Sequence, residues 1–337
     1  MSATYRIITE RDYSRQFDDT HAFALDILVG LSEQRKRIPS KYMYDDRGSS
    51  LFKEIMQLDN YYLVNSEKEI LTRHTERISR WTGENKFNLV ELGAGDGVKT
   101  MILIDHFLKQ GRTFDYVPID ISEGAMKDIV ERSNEQFPDL KVGGLVTDYF
   151  NGLKWLNNRN DSLNFVLFLG SSIGNFTHAE ARFFLRNMWS CLDHGDVLLL
   201  GFDLKKDIEL LLNAYNDRGG VTAEFNLNVL KRINRELGGQ FDIDNFRHFG
   251  TYDVFSGAME SYLVSLERQH VYIEKVGLPF EFAPWEPIHM EYSYKYLMSD
   301  IEELATETGF VIEDNMFDSK RFFVDSIWRV EKPGNSG

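Results

Sequence analysis

A chain of 337 residues, 42% apolar and 27% charged, can bury a sizeable core; it is long for one domain and short for three, so two are expected. A formal net charge of −15, with no basic run beyond Arg35-Lys36-Arg37, disfavours nucleic acid and anionic membrane surfaces as partners. The single cysteine, Cys191, excludes an internal disulfide framework and a thiolate metal cluster, and its apolar flanks read as core.

The first twenty residues are polar and charged, with no apolar run of the kind a secretory leader carries. No stretch reaches the roughly 20 apolar residues that span a bilayer, so a cytoplasmic protein is expected. Thr20 to Glu33 predicts an amphipathic helix with Phe23, Leu25, Ile27, Leu28 and Leu31 on its apolar face. Ile38 to Phe52 is dense in Tyr and Asp and leads into a helix capped at Ser49 or Ser50. Such a segment lines a site or forms a surface turn with packed tyrosines, and composition leaves both readings open. Asn60-Tyr61-Tyr62 closes that helix, and Asn65-Ser66-Glu67 opens the next.

From Ser66 to about Leu204, strands and helices alternate as a parallel sheet demands. Phe87 to Leu92 is a mostly apolar strand. Gly93-Ala94-Gly95-Asp96-Gly97 then allows a tight turn that presents backbone N–H groups, and Met101 to Gln110 is helical. This is the opening strand, loop and helix of a doubly wound sheet, in which ligands sit beyond the carboxyl ends of the strands. The third glycine falls one place too early for a dinucleotide fingerprint, which argues against a nicotinamide-dependent dehydrogenase. The strand Tyr116 to Ser122 carries Asp120, placed to take both ribose hydroxyls of an adenosine. Gly144 to Phe150 supplies Asp148 for an adenine amino group and an aromatic, Tyr149, for the ring. A glycine turn and two strand-end acids in this order look like the S-adenosylmethionine site of a Rossmann-type methyltransferase. Phe165 to Gly170 is a continuous apolar strand, followed by the small-residue loop Ser171 to Phe176. Asn175 is either a substrate contact there or the cap of the helix Thr177 to Leu192. Asp196 to Asp203 is the next strand.

Between Leu204 and Tyr296 the rhythm breaks. Helices over Asp207 to Tyr215 and Ala223 to Leu237 precede short alternating segments at Phe249 to Tyr252, Ala258 to Glu267 and Gln269 to Lys275, which suggest a small inserted antiparallel sheet. Pro279 to Pro287, with three prolines, reads as an irregular connection. The helix Ser299 to Thr308, capped by Gly309, and a strand pair, Phe310 to Asp314 with Arg321 to Val330, return the chain to the first domain. The tail from Pro333 reads as disordered. His74, His106, His178 and His289 lack paired spacing, so no metal is expected.

Several blocks taken together resemble one family, the S-adenosylmethionine-dependent, histidine-specific Nα-methyltransferases that make hercynine (Nα-trimethylhistidine) for ergothioneine biosynthesis. They are Tyr44-Asp45-Asp46-Arg47-Gly48-Ser49, Tyr61-Tyr62, Glu91-Leu92-Gly93-x-Gly95 with Lys99-Thr100, and Gly170 to Asn175. Ala214 to Asp217, Gly220 to Asn226 and Glu291-Tyr292-Ser293 complete the match. The resemblance implies an α/β fold: a Rossmann-type class I methyltransferase sheet over 66–204 and 297–332, with an inserted α+β substrate-recognition domain from 1–65 and 205–296. It implies S-adenosylmethionine contacts at Tyr44, Gly93, Gly95, Lys99, Asp120, Asp148 and Tyr149, with Lys99 near the methionine carboxylate. For L-histidine it implies Asn175 and Tyr215 on the carboxylate, Tyr61 near the α-amine, Glu291 and Ser293 on the two imidazole nitrogens, and Thr222 and Met259 lining the pocket. Tyr61 and Tyr215 are then the catalytic candidates. A neutral imidazole offers one donor and one acceptor, which a carboxylate and a hydroxyl complement. A monomer with no metal, nucleic acid or membrane partner is expected. Departures from the family pattern are Asp96-Gly97-Val98 in the turn, Asn216 in place of Asp, and Tyr149 in place of Phe. The rival readings are the same chemistry on another amino acid or small amine, and a non-catalytic ligand-binding member. Glu291 and Tyr215 also have bland readings, as the partner of Lys295 and as a core tyrosine.

Overall fold

The computed structural model describes residues 4–7, 19–95, 97–157 and 162–332, so Asp96 and the tail after Lys332 lie outside the described residues. These residues form two compact units, with strands and helices labelled in order through the whole chain.

The first unit holds residues 4–7, Leu63–Lys205 and 295–332. Its strands are β1 (Thr4–Ile7), β2 (Phe87–Leu92), β3 (Phe114–Asp120), β4 (Lys141–Val146), β5 (Leu163–Phe168), β6 (Val197–Asp203), β12 (Phe310–Phe317) and β13 (Phe323–Val330), in the spatial order β1-β4-β3-β2-β5-β6-β13-β12. The pairs from β1 to β6 are parallel, whereas β13 runs antiparallel to β6 and β12 antiparallel to β13. The expected Rossmann-type sheet with a closing hairpin is therefore present. Every residue of β2 and β6 is buried, the mark of strands covered by helices on both faces. The helices are α3 (Tyr62–Arg73), α4 (Thr75–Ser79), α5 (Val98–Lys109), α6 (Glu123–Gln136), α7 (Tyr149–Asn157), α8 (His178–Cys191) and α11 (Met298–Thr308). Strand order reverses across β2, flanked by β3 and β5, and a doubly wound sheet opens its ligand crevice at that reversal. β1 was not foreseen: the sequence reading assigned residues 1–65 wholly to the second domain, and four residues are too few to carry a periodic signal. Cys191 is buried and free, as its flanks suggested.

The second unit holds the described residues up to Tyr62 together with Lys206–Tyr294. Its helices are α1 (Asp19–Ser32), α2 (Asp46–Ile55), α9 (Ile208–Tyr215) and α10 (Val221–Leu237). One antiparallel sheet has the order β11-β8-β7, built from β7 (Phe246–Asp253), β8 (Ala258–Ser265) and β11 (Pro287–Tyr294); β9 (Gln269–Ile273) and β10 (Leu278–Phe282) form a second, two-stranded one. The proline-rich connection is thus mostly strand. Pro279 lies in β10, which pairs on one side only, and Pro287 is the first residue of β11; both are positions where a missing N–H costs no ladder bond. In α1, Phe23, Ile27 and Leu31 stand one turn apart and are buried with Phe225, Val229 and Ile233 of α10. Leu25, assigned to the same face, falls off this row and is exposed.

Candidate active site

Six of the seven residues assigned to the cofactor stand in the first unit, at the carboxyl ends of three adjacent parallel strands. Gly93 and Gly95 follow β2, Lys99 sits in the first turn of α5, Asp120 ends β3, and Asp148 and Tyr149 follow β4. Gly93 is held at φ +68, and a Cβ there would lie 2.7 Å from the Tyr149 hydroxyl oxygen, so a side chain has neither the backbone nor the room. Gly97 caps α5 at φ +66, and its missing Cβ lets α6 bring Ile129 into contact. The early third glycine therefore does the close-packing work that a dinucleotide fingerprint gives to a later one.

Burial raises the pKa of Asp120, against hydrogen bonds from the backbone of Ser122, Gly95 and Ile121; the Ser122 N–H donates at 2.9 Å. Asp148 accepts from the N–H groups of Phe150 and Asn151 at 3.1 and 3.0 Å and so caps α7. An ionised carboxylate has about four acceptor sites, so both acids keep capacity for a ligand. Burial, then the neighbouring Asp120, keeps the Tyr149 phenol protonated. Lys99 is paired with Glu67, a buried partner that sequence reasoning missed. Asn175 follows β5 in the same unit and is not the cap of α8. Thr177 fills that role with a reciprocal Glu180 capping box.

The second unit gathers the residues assigned to the acceptor other than Asn175, together with Tyr44. Met259 of β8 packs with Leu211, Ala214 and Tyr215 of α9, and Tyr61 and Tyr62 pack against that group. The Tyr61 and Tyr215 rings meet edge-on with centroids 6.2 Å apart. The Tyr215 and Ser293 hydroxyls share a hydrogen bond of 2.7 Å. Glu291 and Ser293 pair with Ser261 and Met259 of β8, respectively. This register depends on a bulge between His289 and Glu291, which puts Met290 in as an extra residue and re-aims Glu291 toward the Met259 and Ser293 face. Lys295, the partner suggested for Glu291 by spacing, lies in the first unit and holds Asp203 at 2.8 Å, both side chains fully buried.

Secondary contacts fix these side chains. His248 Nε2 lies 3.1 Å from the Tyr215 carbonyl oxygen, so this ring nitrogen carries the proton; burial first, against that hydrogen bond, lowers the pKa of the imidazole. The Asn216 amide donates to the carbonyls of Leu212 at 2.8 Å and Gly250 at 3.1 Å, and accepts the Gly250 N–H at 3.0 Å. That clamp needs a donor and an acceptor on one side chain, which explains why Asn suits this chain where the family pattern has Asp. Thr222 is buried in the first turn of α10, its N–H on the Asp217 carboxylate at 2.8 Å. Tyr44 packs edge-on against Phe52 and Phe225. Its neighbour Asp45 accepts from the Gly48 N–H at 2.8 Å, Asn228 at 2.7 Å and Arg235 at 2.7 Å. Burial opposes the charge on Asp45, but these hydrogen bonds prevail and hold its carboxyl below the usual range. The Tyr- and Asp-rich segment is thus an anchored turn, not a loose one.

A family model described as histidine-specific, S-adenosylmethionine-dependent methyltransferase matches residues 23–330. The chain belongs to this family. It is 34% identical over 293 residues to a histidine N-alpha-methyltransferase of Mycolicibacterium smegmatis, covering 86% of this chain and 90% of that protein. A histidine N-alpha-methyltransferase of Mycobacterium tuberculosis is also 34% identical, over 275 residues, 82% of this chain and 84% of that one. Ergothioneine biosynthesis protein 1 of Schizosaccharomyces pombe is 32% identical over 300 residues, 85% of this chain but 39% of that protein. The groups present in this methyltransferase fit S-adenosylmethionine. A turn too crowded for a Cβ exposes backbone at the strand reversal, an ammonium complements a carboxylate, and a strand-end acid complements a diol. Among the described residues, no cluster of three or more His, Cys, Asp and Glu could hold a metal, and no helix is long and apolar enough to cross a membrane.

Proposed function

We propose that this methyltransferase trimethylates the α-amino nitrogen of L-histidine to give hercynine, and that the residues named from the resemblance carry the roles it implies. The observation that carries this reading is the pairing of Glu291 and Ser293 with Ser261 and Met259 on one strand face, with Ser293 bonded to Tyr215. Glu291 accepts the imidazole N–H and Ser293 donates to the other ring nitrogen. As histidine enters, the Tyr215–Ser293 hydrogen bond gives way, so that Ser293 donates to the ring and Tyr215 to the carboxylate. An apolar side chain in that place offers neither group a hydrogen bond, so discrimination is strong.

When bound, S-adenosylmethionine supplies a methyl group on a positively charged sulfur. Gly93, Gly95, Asp120, Asp148 and Tyr149 hold the adenosyl end, Lys99 faces the carboxylate, and Tyr44 completes the contacts. Asn175 and Tyr215 hold the histidine carboxylate, which leaves the α-amine lone pair to be aligned with the S–CH₃ axis. Thr222 and Met259 wall the pocket. A new N–C bond forms as the S–C bond breaks, so no covalent nucleophile is required of the protein. The amine must shed a proton before each transfer, a modest demand on a group with an ordinary pKa near 8. Tyr61 offers a phenol oxygen at the amine and a ring face that tolerates the growing cation.

Mass spectrometry of L-histidine incubated with the protein and S-adenosylmethionine tests the reading. Species bearing one, two and three added methyl groups are expected. Methylation of other amino acids with histidine left untouched would sink the acceptor assignment.

A further inference from the structure

The first unit buries a carboxylate that methyl transfer does not use. Glu67, in the second turn of α3, is wholly shielded from solvent. One of its oxygens accepts the Gly170 N–H at 2.7 Å and the other takes the Lys99 ammonium. Gly170 lies in the loop after β5, and a Cβ there would stand 3.2 Å from Lys99 Nζ, so the ammonium rests against that loop. Three separate pieces of chain, α3, the first turn of α5 and the loop after β5, therefore converge on a single carboxylate. Lys99 nevertheless keeps 19% of its side-chain surface exposed, so it is not sealed off as Glu67 is.

A second acid stands nearby. Asp325 of β13 is fully buried, and neither of its carboxyl oxygens has a hydrogen-bond partner among the described residues. Burial, then the negative Glu67, pushes its pKa far above the carboxylate range, with Lys99 opposing, so Asp325 is neutral. Of the two acids beside Lys99, Glu67 is consequently the counter-ion. Burial opposes the charge on Lys99, but attraction and hydrogen bonding to Glu67, with a smaller contribution from Glu91, raise its pKa, so it stays protonated.

We propose that Glu67 is a positioning residue for the amino-acid end of the cofactor: it locks the Lys99 ammonium to the loop after β5, where an arriving carboxylate would meet it. The inference rests on the reading of Lys99 given above. Without Glu67 the lysine chain regains its rotamers, and each cofactor molecule must order it anew.

The experiment measures calorimetric dissociation constants for two probes, S-adenosylhomocysteine and 5′-methylthioadenosine, which share the adenosine and the thioether but differ in the amino-acid end. Wild-type protein should prefer S-adenosylhomocysteine. Glu67→Gln keeps an acceptor for Gly170 but presents an amide dipole in place of the counter-ion, and should weaken S-adenosylhomocysteine about tenfold with methylthioadenosine unchanged. Lys99→Met should do at least as much, and the double variant should be no worse than Lys99→Met alone, as expected for two residues acting as one unit. Glu67→Asp, which retains the charge on a shorter stem, should fall between wild type and Glu67→Gln, and serves in its place should that variant not fold. Equal weakening of both probes, or none, in the folded Glu67 variants would overturn the positioning role. A wild-type protein that binds the two probes equally would instead overturn the reading of Lys99.

Discussion

The two units present their polar groups by different means. At the proposed cofactor end of the first unit the polar groups stand at strand ends: a glycine turn after β2, an acid closing β3, another after β4, and a loop after β5, all delivered to one edge because parallel strands finish together. In the second unit the groups are side chains from a helix, α9, and from strand faces, and what unites them is register. A strand-end site is therefore vulnerable in its backbone as well as in its side chains, whereas a strand-face site is vulnerable chiefly in its side chains and their register.

That contrast is open to test by substitutions that should injure one function and spare the other. Glu291→Ala should have the largest effect, lowering kcat/KM for histidine about a hundredfold or more because a buried imidazole N–H loses its charged acceptor. Its dissociation constant for S-adenosylhomocysteine should stay within a factor of about two. Parallel loss of cofactor binding, measured by calorimetry, would erase the separation. Gly93→Ala should show the reverse pattern. With φ at +68 and a Cβ driven toward the Tyr149 hydroxyl, cofactor affinity should fall roughly tenfold and stability by about 1–2 kcal/mol, read by calorimetry and urea denaturation.

A third test concerns acid stability in the second unit. His289 lies against Tyr292 with the rings tilted and their centroids 4.0 Å apart, and burial, aided by Arg37, pulls its pKa down to about 4 from the ordinary 6.5. The unfolded chain therefore binds a proton there that the folded chain refuses, so stability falls as the pH drops from 6.5 toward 4. The full shift corresponds to roughly 3 kcal/mol at most, and less for a ring that retains some solvent contact. His289→Gln should flatten this slope, measured as the difference in Tm between neutral and mildly acidic buffer. An unchanged slope would mean that the ring titrates normally.

The cofactor half was largely legible because its signals are local. An apolar run, a glycine turn and an acid at each following strand end can be read without knowing what packs where, and Gly93, Asp120 and Asp148 fall where that order puts them. Glu67 was not legible as a buried counter-ion, since a glutamate in the opening turns of a helix reads as an ordinary N-terminal signal and such residues are seldom buried. The bulge before Glu291 was equally hidden, because one extra residue in a strand leaves no trace in a short alternating pattern.

By itself the sequence determined the alternation that builds the parallel sheet, the turn that only glycines can make, and the presence of a Glu-x-Ser pair of the right chemistry for an imidazole. Tertiary structure alone decided which acid pairs with Lys99, which partner Lys295 takes, and which strand face Glu291 shares. The reason is that propensity and turn chemistry act between neighbours along the chain. Counter-ions and faces depend on contacts between residues tens of positions apart, which exist only once the chain has folded.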